Sequence, residues 1–362
     1  MNKLPVAVIG AGYWGPNLIR NFTSCPLTEV VAVCDANKAR LEQIGRANPH
    51  AKMVSSIDEL LGLPKPPVAV AIATPVSTHF PIAKRCLEAG LHVMVEKPLA
   101  ASGTEAQALV KLAEKMGRVL MVDHTYLFSN PVRMIKKIVD SGDLGELYYV
   151  DSVRINLGLF QHDINVIWDL APHDLSIVDY VLGLEARSIS AWGCSHANED
   201  IEDIAYVNVD YGDRMLANFH VNWLSPVKMR QMIFAGSKKS LIFSEMNSSE
   251  PIKVYDRGIN IGASSEEERK KLLVSYRSGD GWIPHVDAGE PLQAAVRHFA
   301  ECIRDGTVPI SDGNLGLRVV KQLEAATRSI RAQGGRVILA NGKNGNGKDA
   351  RAVRSEQLPA GV

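Results

Sequence analysis

Several features that mark special classes of protein are scarce or missing in this sequence. Lys plus Arg and Asp plus Glu number 40 each in 362 residues, so the basic excess of a nucleic-acid or anionic-membrane binder is absent. No apolar run approaches the ~20 residues of a membrane span, and the N-terminus lacks the pattern of a secretory signal. We therefore expect a cytoplasmic protein that binds neither nucleic acid nor membrane.

Cysteine is also rare, and its spacing excludes two further classes of site. The five cysteines are odd in number, far apart and without a C-x-x-C pair. This pattern argues against a disulfide framework and against a thiolate zinc site. We expect most of them to be small buried side chains in a reducing compartment. They are Cys25, Cys34, Cys86, Cys194 and Cys302.

The chain is long enough, and with 46% hydrophobic residues apolar enough, for two domains. Over residues 1–122, apolar strand patterns at 6–9, 30–34, 68–73, 92–96 and 119–122 alternate with helical segments. Ser56 and Ser102 each precede a Glu by three residues, as helix caps do, and Gly90 and Gly117 stand where helices would stop. This alternation predicts an α/β Rossmann domain with a parallel sheet that binds a dinucleotide.

The pattern changes after residue 123 to longer alternating segments with few helices. Strands are predicted at 148–157, 187–195, 205–211, 215–223, 230–235 and 240–243, and helices at 166–181, 292–305 and 315–331. Residues 123–335 should therefore form a second α/β domain with a large, mostly antiparallel, open-faced sheet. The polar stretch 259–281 predicts an exposed excursion that can cover a substrate cleft, and 341–362 predicts a disordered tail.

A glycine-rich motif follows the first predicted strand directly and opens a helical segment. Gly10, Gly12 and Gly15 fit a dinucleotide loop in which the first allows a tight turn and the second admits the pyrophosphate. The third allows close helix packing, and the helix N-terminus offers free N–H groups to the phosphates. Tyr13 and Trp14 lie between these glycines and belong to the same predicted cofactor site.

An acidic residue ends the second predicted strand at the distance expected for a ribose ligand. Asp35 lies 20 residues after Gly15, where a carboxylate accepts hydrogen bonds from the adenosine ribose hydroxyls. It should repel a 2′-phosphate, so NAD is predicted over NADP. Arg40 could accommodate that phosphate, although its position also fits an exposed helix residue.

Three further residues indicate the type of reaction that the protein catalyses. Lys97 ends a predicted strand on the sheet edge where parallel sheets place ligands, although a strand-end Lys is often merely solvated. Asp169 and His173 are four residues apart at the start of a predicted helix and would share a face. A histidine can take a hydroxyl proton as hydride leaves the same carbon, and a carboxylate can orient it. The pair would also suit a polar helix cap or two metal ligands, but no third ligand is evident and no metal is predicted.

Together these motifs resemble the glucose-fructose oxidoreductase/inositol dehydrogenase/MocA family. The resemblance rests on VIGAGYWG at residues 8–15, on Glu96-Lys97-Pro98 and on Asp169-x-x-x-His173, and it covers residues 4 to about 332. It implies a nicotinamide-dependent enzyme that oxidises a sugar or cyclitol hydroxyl or reduces the ketone. It also implies contacts between copies through the open sheet, as a homodimer or homotetramer.

The resemblance assigns roles to individual residues. Lys97 and His173 become the catalytic pair, and Asp169 binds the hydroxyls of the reacting sugar. The predicted cofactor-binding residues are Gly10, Gly12, Tyr13, Trp14, Gly15, Asp35, Thr74, Pro75, His79, Glu96 and Lys97. The chain departs from the family where Asn165 to Trp168 replace a frequent Gly-Gly pair and where Asp123 stands at a position often occupied by Gly.

Within the family, segments around Gly158, Trp168 and Trp223 look like the branch that oxidises the C3 hydroxyl of nucleotide-activated sugars. A diphosphate needs cations and hydrogen-bond donors, and aromatic rings can stack on a base or sugar. The predicted substrate-binding residues are His124, Tyr126, Arg154, Asn156, Asn165, Trp168, Asp169, Trp223, Lys228 and Arg230. Alternatives are a dehydrogenase of a free cyclitol or sugar, a 3-ketosugar reductase and a non-catalytic NAD-sensing regulator.

Overall fold

The computed structural model describes residues 3–158, 160, 164–261 and 274–339. Its N-terminal part contains six strands: β1 (Leu4–Ile9), β2 (Thr28–Cys34), β3 (Lys52–Val54), β4 (Ala69–Ile72), β5 (His92–Glu96) and β6 (Leu120–Asp123). They pair in parallel in the order β3-β2-β1-β4-β5-β6. This order is that of a dinucleotide-binding sheet, whose ligands lie beyond the carboxyl ends of the strands. The predicted Rossmann domain is confirmed.

The sheet is covered by α1 (Gly15–Ser24), α2 (Lys38–Ala47), α3 (Ile57–Leu61), α4 (Val76–Glu88) and α5 (Gly103–Met116). Ser56 and Ser102 cap α3 and α5 by accepting hydrogen bonds from the backbone N–H groups of Glu59 and Glu105. Gly117 ends α5 with a φ of +59°, a conformation that glycine adopts without strain. The predicted helix starts and stops therefore agree with the structure.

Nine strands form a second sheet: β7 (Leu147–Leu157), β8 (Ser188–Cys194), β9 (Ile204–Gly212), β10 (Met215–Asn222), β11 (Leu224–Gly236), β12 (Ser240–Ser244), β13 (Ile252–Ile261), β14 (Val274–Trp282) and β15 (Val337–Ile338). Their order is β14-β13-β12-β11-β7-β10-β9-β8-β15. Only the β7 and β10 pair is parallel among these neighbours. The mostly antiparallel sheet is confirmed.

The helices of this second part are α6 (Asn130–Asp140), α7 (Val166–Leu182), α8 (Pro291–Asp305) and α9 (Gly313–Arg331), preceded by a short 3-10 helix at Thr125–Phe128. Alternate residues of the strands, such as Val150 and Phe219, are buried on the face against which α7 packs. On the opposite face, strand residues such as Tyr149 and Leu216 are exposed. The division at residues 122 and 123 stays a prediction, because α9 also packs against α5.

The structure contains elements that were not predicted, among them β3 and α6, and it corrects the expectation for residues 259–281. Strand β3 was not predicted, because it has three residues of which one is buried, too few for an alternating pattern to show. The stretch 259–281 is not simply an excursion, since its ends pair as β13 and β14. Backbone hydrogen bonds hold such an edge hairpin whatever its polar composition. Residues 262–273 and the predicted tail 341–362 lie outside the described residues.

Four of the five free cysteines are buried, and Cys194 is exposed.

Candidate active site

The glycine-rich loop joins the end of β1 to the start of α1. Gly10 has a φ of +97°, and a Cβ there would lie 2.5 Å from the Ala73 carbonyl oxygen. A Cβ on Gly15 would collide with the Gly10 carbonyl group. At Gly12, by contrast, an added Cβ would meet only the Arg40 guanidinium at 3.7 Å. The first and third glycines thus let the backbone close up, and the second leaves the space above the loop that a pyrophosphate requires.

Asp35 stands at the end of β2 and braces this loop. Its Oδ2 accepts a hydrogen bond from the Ala11 N–H group at 2.6 Å, and its Oδ1 accepts one from Asn37 at 2.7 Å. Arg40, on α2, is exposed beside the loop. The carboxylate and the guanidinium therefore flank the same surface of the loop, where the adenosine ribose of a dinucleotide would lie. Tyr13 is 90% exposed at the tip of the loop.

Thr74, Pro75 and His79 lie where β4 passes into α4. The buried imidazole of His79 lies between two backbone carbonyl oxygens, 2.8 Å from that of Thr74 and 2.9 Å from that of Pro98. This contact ties the start of α4 to the segment that follows Lys97. His79 therefore positions the loops at the sheet edge, while Thr74 and Pro75 form part of that edge.

Lys97, Asp169 and His173 come together across the cleft between β5 and α7. The Lys97 ammonium donates to the Asp169 carbonyl oxygen at 2.9 Å and lies 3.5 Å from the Asp169 carboxylate. The other carboxylate oxygen accepts a hydrogen bond from the Trp223 indole at 3.1 Å. Asp169 and His173 both lie within α7 and share its face, as the spacing predicts.

His173 is half-buried, and its imidazole lies among positively charged side chains. Burial first, and then the charges of Lys97 and Arg154, hold its pKa well below the usual 6.5. Its Nδ1 is buried and has no hydrogen-bond partner among the described residues. The expectation that a neighbouring carboxylate orients the ring is not met by Asp169, whose oxygens contact Lys97 and Trp223. The edge of the Tyr126 ring packs against the imidazole instead, with centroids 5.0 Å apart.

A network of buried charges lies behind His173. Arg154 on β7 donates to Asp174 at 2.7 Å and to Glu245 at 3.1 Å, and its guanidinium lies 5.0 Å from the Tyr126 ring centroid. Arg230 on β11 also donates to Glu245 and to the Tyr126 hydroxyl. Sequence analysis missed Asp174 and Glu245, because no local motif shows which distant cation a carboxylate will meet. Both predicted arginines are thus already paired.

The remaining predicted substrate residues occupy different surroundings. His124 is buried with both ring nitrogens unpartnered among the described residues, and burial with the Lys97 charge lowers its pKa to about 3. Trp223 is buried, and its ring lies 5.5 Å from that of Phe160. Asn156 is half-buried on β7, and Lys228 is exposed on β11. His124 and Trp223 therefore adjoin the Lys97 site, whereas Lys228 points to solvent.

A cavity of about 390 Å³ opens beside the start of α7. Asn165 and Trp168 line it, but both also hold the fold: the Asn165 side chain caps α7 and donates to Glu202 at 2.7 Å, and the Trp168 indole donates to Thr327 at 3.0 Å. Arg331, Ser77 and Val76 complete much of the wall. The cavity is therefore formed by residues of both parts of the chain.

The residues at the carboxyl edge of the parallel sheet fit a dinucleotide. The loop leaves room over Gly12, and Glu96 Oε1 and the His124 ring present buried polar atoms without partners among the described residues. Within the described ranges, three or more His, Cys, Asp or Glu side chains do not gather as metal ligands. None of the described helices is long and apolar enough to cross a bilayer.

Comparisons with known proteins identify the family to which both parts of the chain are similar. The family profile "Oxidoreductase family, NAD-binding Rossmann fold" matches residues 4–124, and the profile "GFO/IDH/MocA C-terminal domain" matches residues 132–242. Over 343 residues the chain is 28% identical to scyllo-inositol 2-dehydrogenase (NAD(+)) of Bacillus subtilis (strain 168), covering 91% of this chain and 95% of that protein.

One further relative and one structural neighbour are described with nucleotide sugars. The chain is 26% identical over 261 residues to UDP-N-acetylglucosamine 3-dehydrogenase of Acidithiobacillus ferrooxidans, covering 71% of this chain and 79% of that protein. The fold also matches the WlbA dehydrogenase from Bordetella pertussis in complex with NADH and UDP-GlcNAcA, with a TM-score of 0.79 and 20% identity. That match covers 94% of this chain and 99% of the other.

Proposed function

Because the chain belongs to the GFO/IDH/MocA family of NAD-binding oxidoreductases, we propose that it oxidises a secondary hydroxyl of a sugar to a ketone. The observation that carries this proposal is the meeting of Lys97, Asp169 and His173 at the carboxyl edge of the dinucleotide-binding sheet. A non-catalytic NAD-sensing regulator would need the loop but not these three groups.

His173 acts as the general base in this proposal. Its depressed pKa keeps the imidazole neutral at pH 7, so it can accept the proton of the reacting hydroxyl. The Lys97 ammonium stabilises the negative charge that develops on the oxygen. Asp169, which fixes Lys97 and is itself fixed by Trp223, holds the sugar hydroxyls in place. Bound NAD supplies the hydride acceptor.

We propose NAD rather than NADP as the cofactor. The Asp35 carboxylate lies at the loop where the adenosine ribose binds, and it favours ribose hydroxyls over a 2′-phosphate. The loop residues Gly10 to Gly15, with Thr74, Pro75 and Glu96 at the edge of the sheet, form the rest of this cofactor site. His79 supports it through its contacts with Thr74 and Pro98.

The proposed substrate is a nucleotide-activated sugar that is oxidised at C3. The support is the likeness to the UDP-N-acetylglucosamine 3-dehydrogenase and the cavity beside α7, which offers room for groups beyond the reacting ring. Asn165 and Trp168 line that cavity, and its charged lining residues are Arg331, Asp200 and Glu202.

A free sugar or cyclitol is the second candidate substrate, and one observation favours it. Arg154 and Arg230, the cations predicted to bind a diphosphate, are paired with Asp174 and Glu245. Their charge is therefore largely neutralised before any substrate binds. The relative from Bacillus subtilis is named for scyllo-inositol, which has no diphosphate.

A substrate comparison tests the proposal. The purified protein is incubated with NAD and, separately, with UDP-N-acetylglucosaminuronate, UDP-N-acetylglucosamine, UDP-glucose and myo-inositol. We expect reduced nicotinamide, followed by absorbance, and a product two hydrogens lighter by mass with one UDP-sugar. Reaction with myo-inositol alone would favour the second candidate. An enzymatic role would be contradicted if NAD binds but two reactions both fail: reduction of NAD⁺ with these substrates, and oxidation of NADH with the corresponding ketones.

A further inference from the structure

Two acidic residues, one half-buried and one buried, lie side by side where β5 and β6 end. Glu96 and Asp123 are register partners in these adjacent parallel strands, and Asp123 is 2% exposed. Glu96 belongs to the proposed cofactor site, but the proton and hydride transfer proposed above uses neither carboxyl group. Their position at the carboxyl edge of the sheet nevertheless places both beside the cofactor site.

The hydrogen bonds of this pair leave one oxygen without a donor. Glu96 Oε2 accepts from the Lys97 backbone N–H group at 3.0 Å. Glu96 Oε1 is buried and receives no hydrogen bond from any N–H or O–H group of the described residues. Asp123 accepts from the Thr125 hydroxyl at 2.9 Å and from the Trp14 indole at 3.5 Å. A proton held between the two carboxyl groups would supply the missing donor.

Charge repulsion also favours such a shared proton. Two neighbouring carboxylates in a dry site cannot both ionise cheaply. Burial first, and then the Asp123 charge, raise the pKa of Glu96 well above its usual value against the opposing effect of the Lys97 charge, and burial raises the pKa of Asp123. The pair therefore holds one proton and one negative charge at neutral pH.

The order of the strands identifies which half of the cofactor this charge faces. A dinucleotide lies across the sheet with one half over each mononucleotide-binding unit. Asp35 at the end of β2 marks the adenosine half, so the ends of β5 and β6 face the nicotinamide half. Asp123 also holds the Trp14 indole, which fixes the glycine-rich loop over the same half.

We propose that Glu96 and Asp123 form a positioning pair whose single shared negative charge favours binding of the oxidised cofactor over the reduced one. The oxidised nicotinamide ring is a cation and the reduced ring is neutral. A fixed negative charge nearby therefore stabilises only the oxidised form, and does so strongly in a site of low dielectric. The inference rests on the nicotinamide cofactor of the proposed function and is independent of the sugar.

Amide substitutions separate charge from shape. In Asp123→Asn or Glu96→Gln, the amide can donate to the remaining carboxylate, which then keeps the negative charge of the site. The double variant E96Q/D123N has the same shape and no charge. We measure the dissociation constants of NAD⁺ and NADH without sugar, by calorimetry, and compare their ratio among the four proteins.

We expect each single variant to change the preference for NAD⁺ over NADH by less than threefold. The double variant should lower that preference about tenfold, by weakening NAD⁺ binding. Glu114→Gln, which removes an exposed carboxylate on α5, serves as the control and should leave both constants unchanged. If the double variant does not fold, Asp123→Ala provides a second test, because burial then keeps the lone Glu96 protonated and the preference should fall likewise.

An equal loss of affinity for both cofactors would show a purely structural role and overturn the inference. A full tenfold change in either amide single variant would also overturn it, since the charge would then belong to one residue. If the unaltered protein binds neither cofactor, the proposed function itself fails. That outcome is distinct from binding of both cofactors with an unchanged preference in the double variant, which contradicts only this inference.

Discussion

At the scale of single residues, His173 is distinguished by its half-buried position among positive charges. We expect His173→Ala to lower turnover by about 10²–10⁴-fold while NAD binding stays nearly unchanged. Because the pKa of His173 lies well below 6.5, the base stays neutral, and its protonation should not reduce turnover between pH 8 and 6.5. His285→Ala, at an 89% exposed side chain, is the matched control. Near-normal turnover of the His173 variant would contradict its role as base.

Asp35 is the single residue that we expect to set the preference for NAD over NADP. Asp35→Ala removes the carboxylate proposed to hold the ribose, so NAD should bind about tenfold more weakly, since a hydrogen bond to a charged group contributes ~1.5–3 kcal/mol. The preference for NAD over NADP should narrow as well. Arg40→Ala is the companion variant and should weaken NADP more than NAD. An unchanged preference in the Asp35 variant, measured by binding of both cofactors, would show that this carboxylate does not contact the ribose.

At the scale of elements, the buried pair Arg154 and Asp174 joins β7 to α7, the helix that carries Asp169 and His173. Asp174→Ala leaves the guanidinium buried with fewer partners, and we expect the free energy of unfolding to fall by about 3–5 kcal/mol. The control is Asp140→Ala, which breaks an exposed pair with Lys136 on α6 and should cost less than about 0.5 kcal/mol. Denaturant unfolding of both variants compares them, and equal losses would contradict the structural role of the buried pair.

At the scale of the whole molecule, the face of the nine-stranded sheet opposite α7 carries exposed aromatic residues. Trp192, Tyr206 and His220 are successive register partners across β8, β9 and β10, and Trp192 is 59% exposed. We propose that a second copy of the chain covers this face. Tyr206→Glu should then shift the mass in solution, measured by light scattering, toward the monomer. Val308→Glu, at a 75% exposed site away from the sheet, should not. An unaltered protein that is already monomeric would contradict this expectation.

Local patterns were enough to predict much of the molecule. The glycine loop, the strand ends at Asp35 and Lys97 and the helix that carries His173 each depend on residues within one or two turns or strands. Steric limits on Gly10 and hydrogen bonding at the caps Ser56 and Ser102 act over the same short distances. The sequence by itself therefore determined the parallel sheet, the open antiparallel sheet and the two sides of the cleft.

Only the tertiary structure decided what the polar side chains contact. Asp169 meets Lys97 and Trp223, which are 72 and 54 residues away, and Arg154 is paired with Asp174 and Glu245. A buried charge needs an opposite charge or a hydrogen bond. Its partner can lie anywhere in the sequence, and only the folded chain shows which residue is brought next to it. That is why the arginines predicted for a diphosphate are already neutralised, and why the charge shared by neighbouring strand ends could not be read from either strand alone.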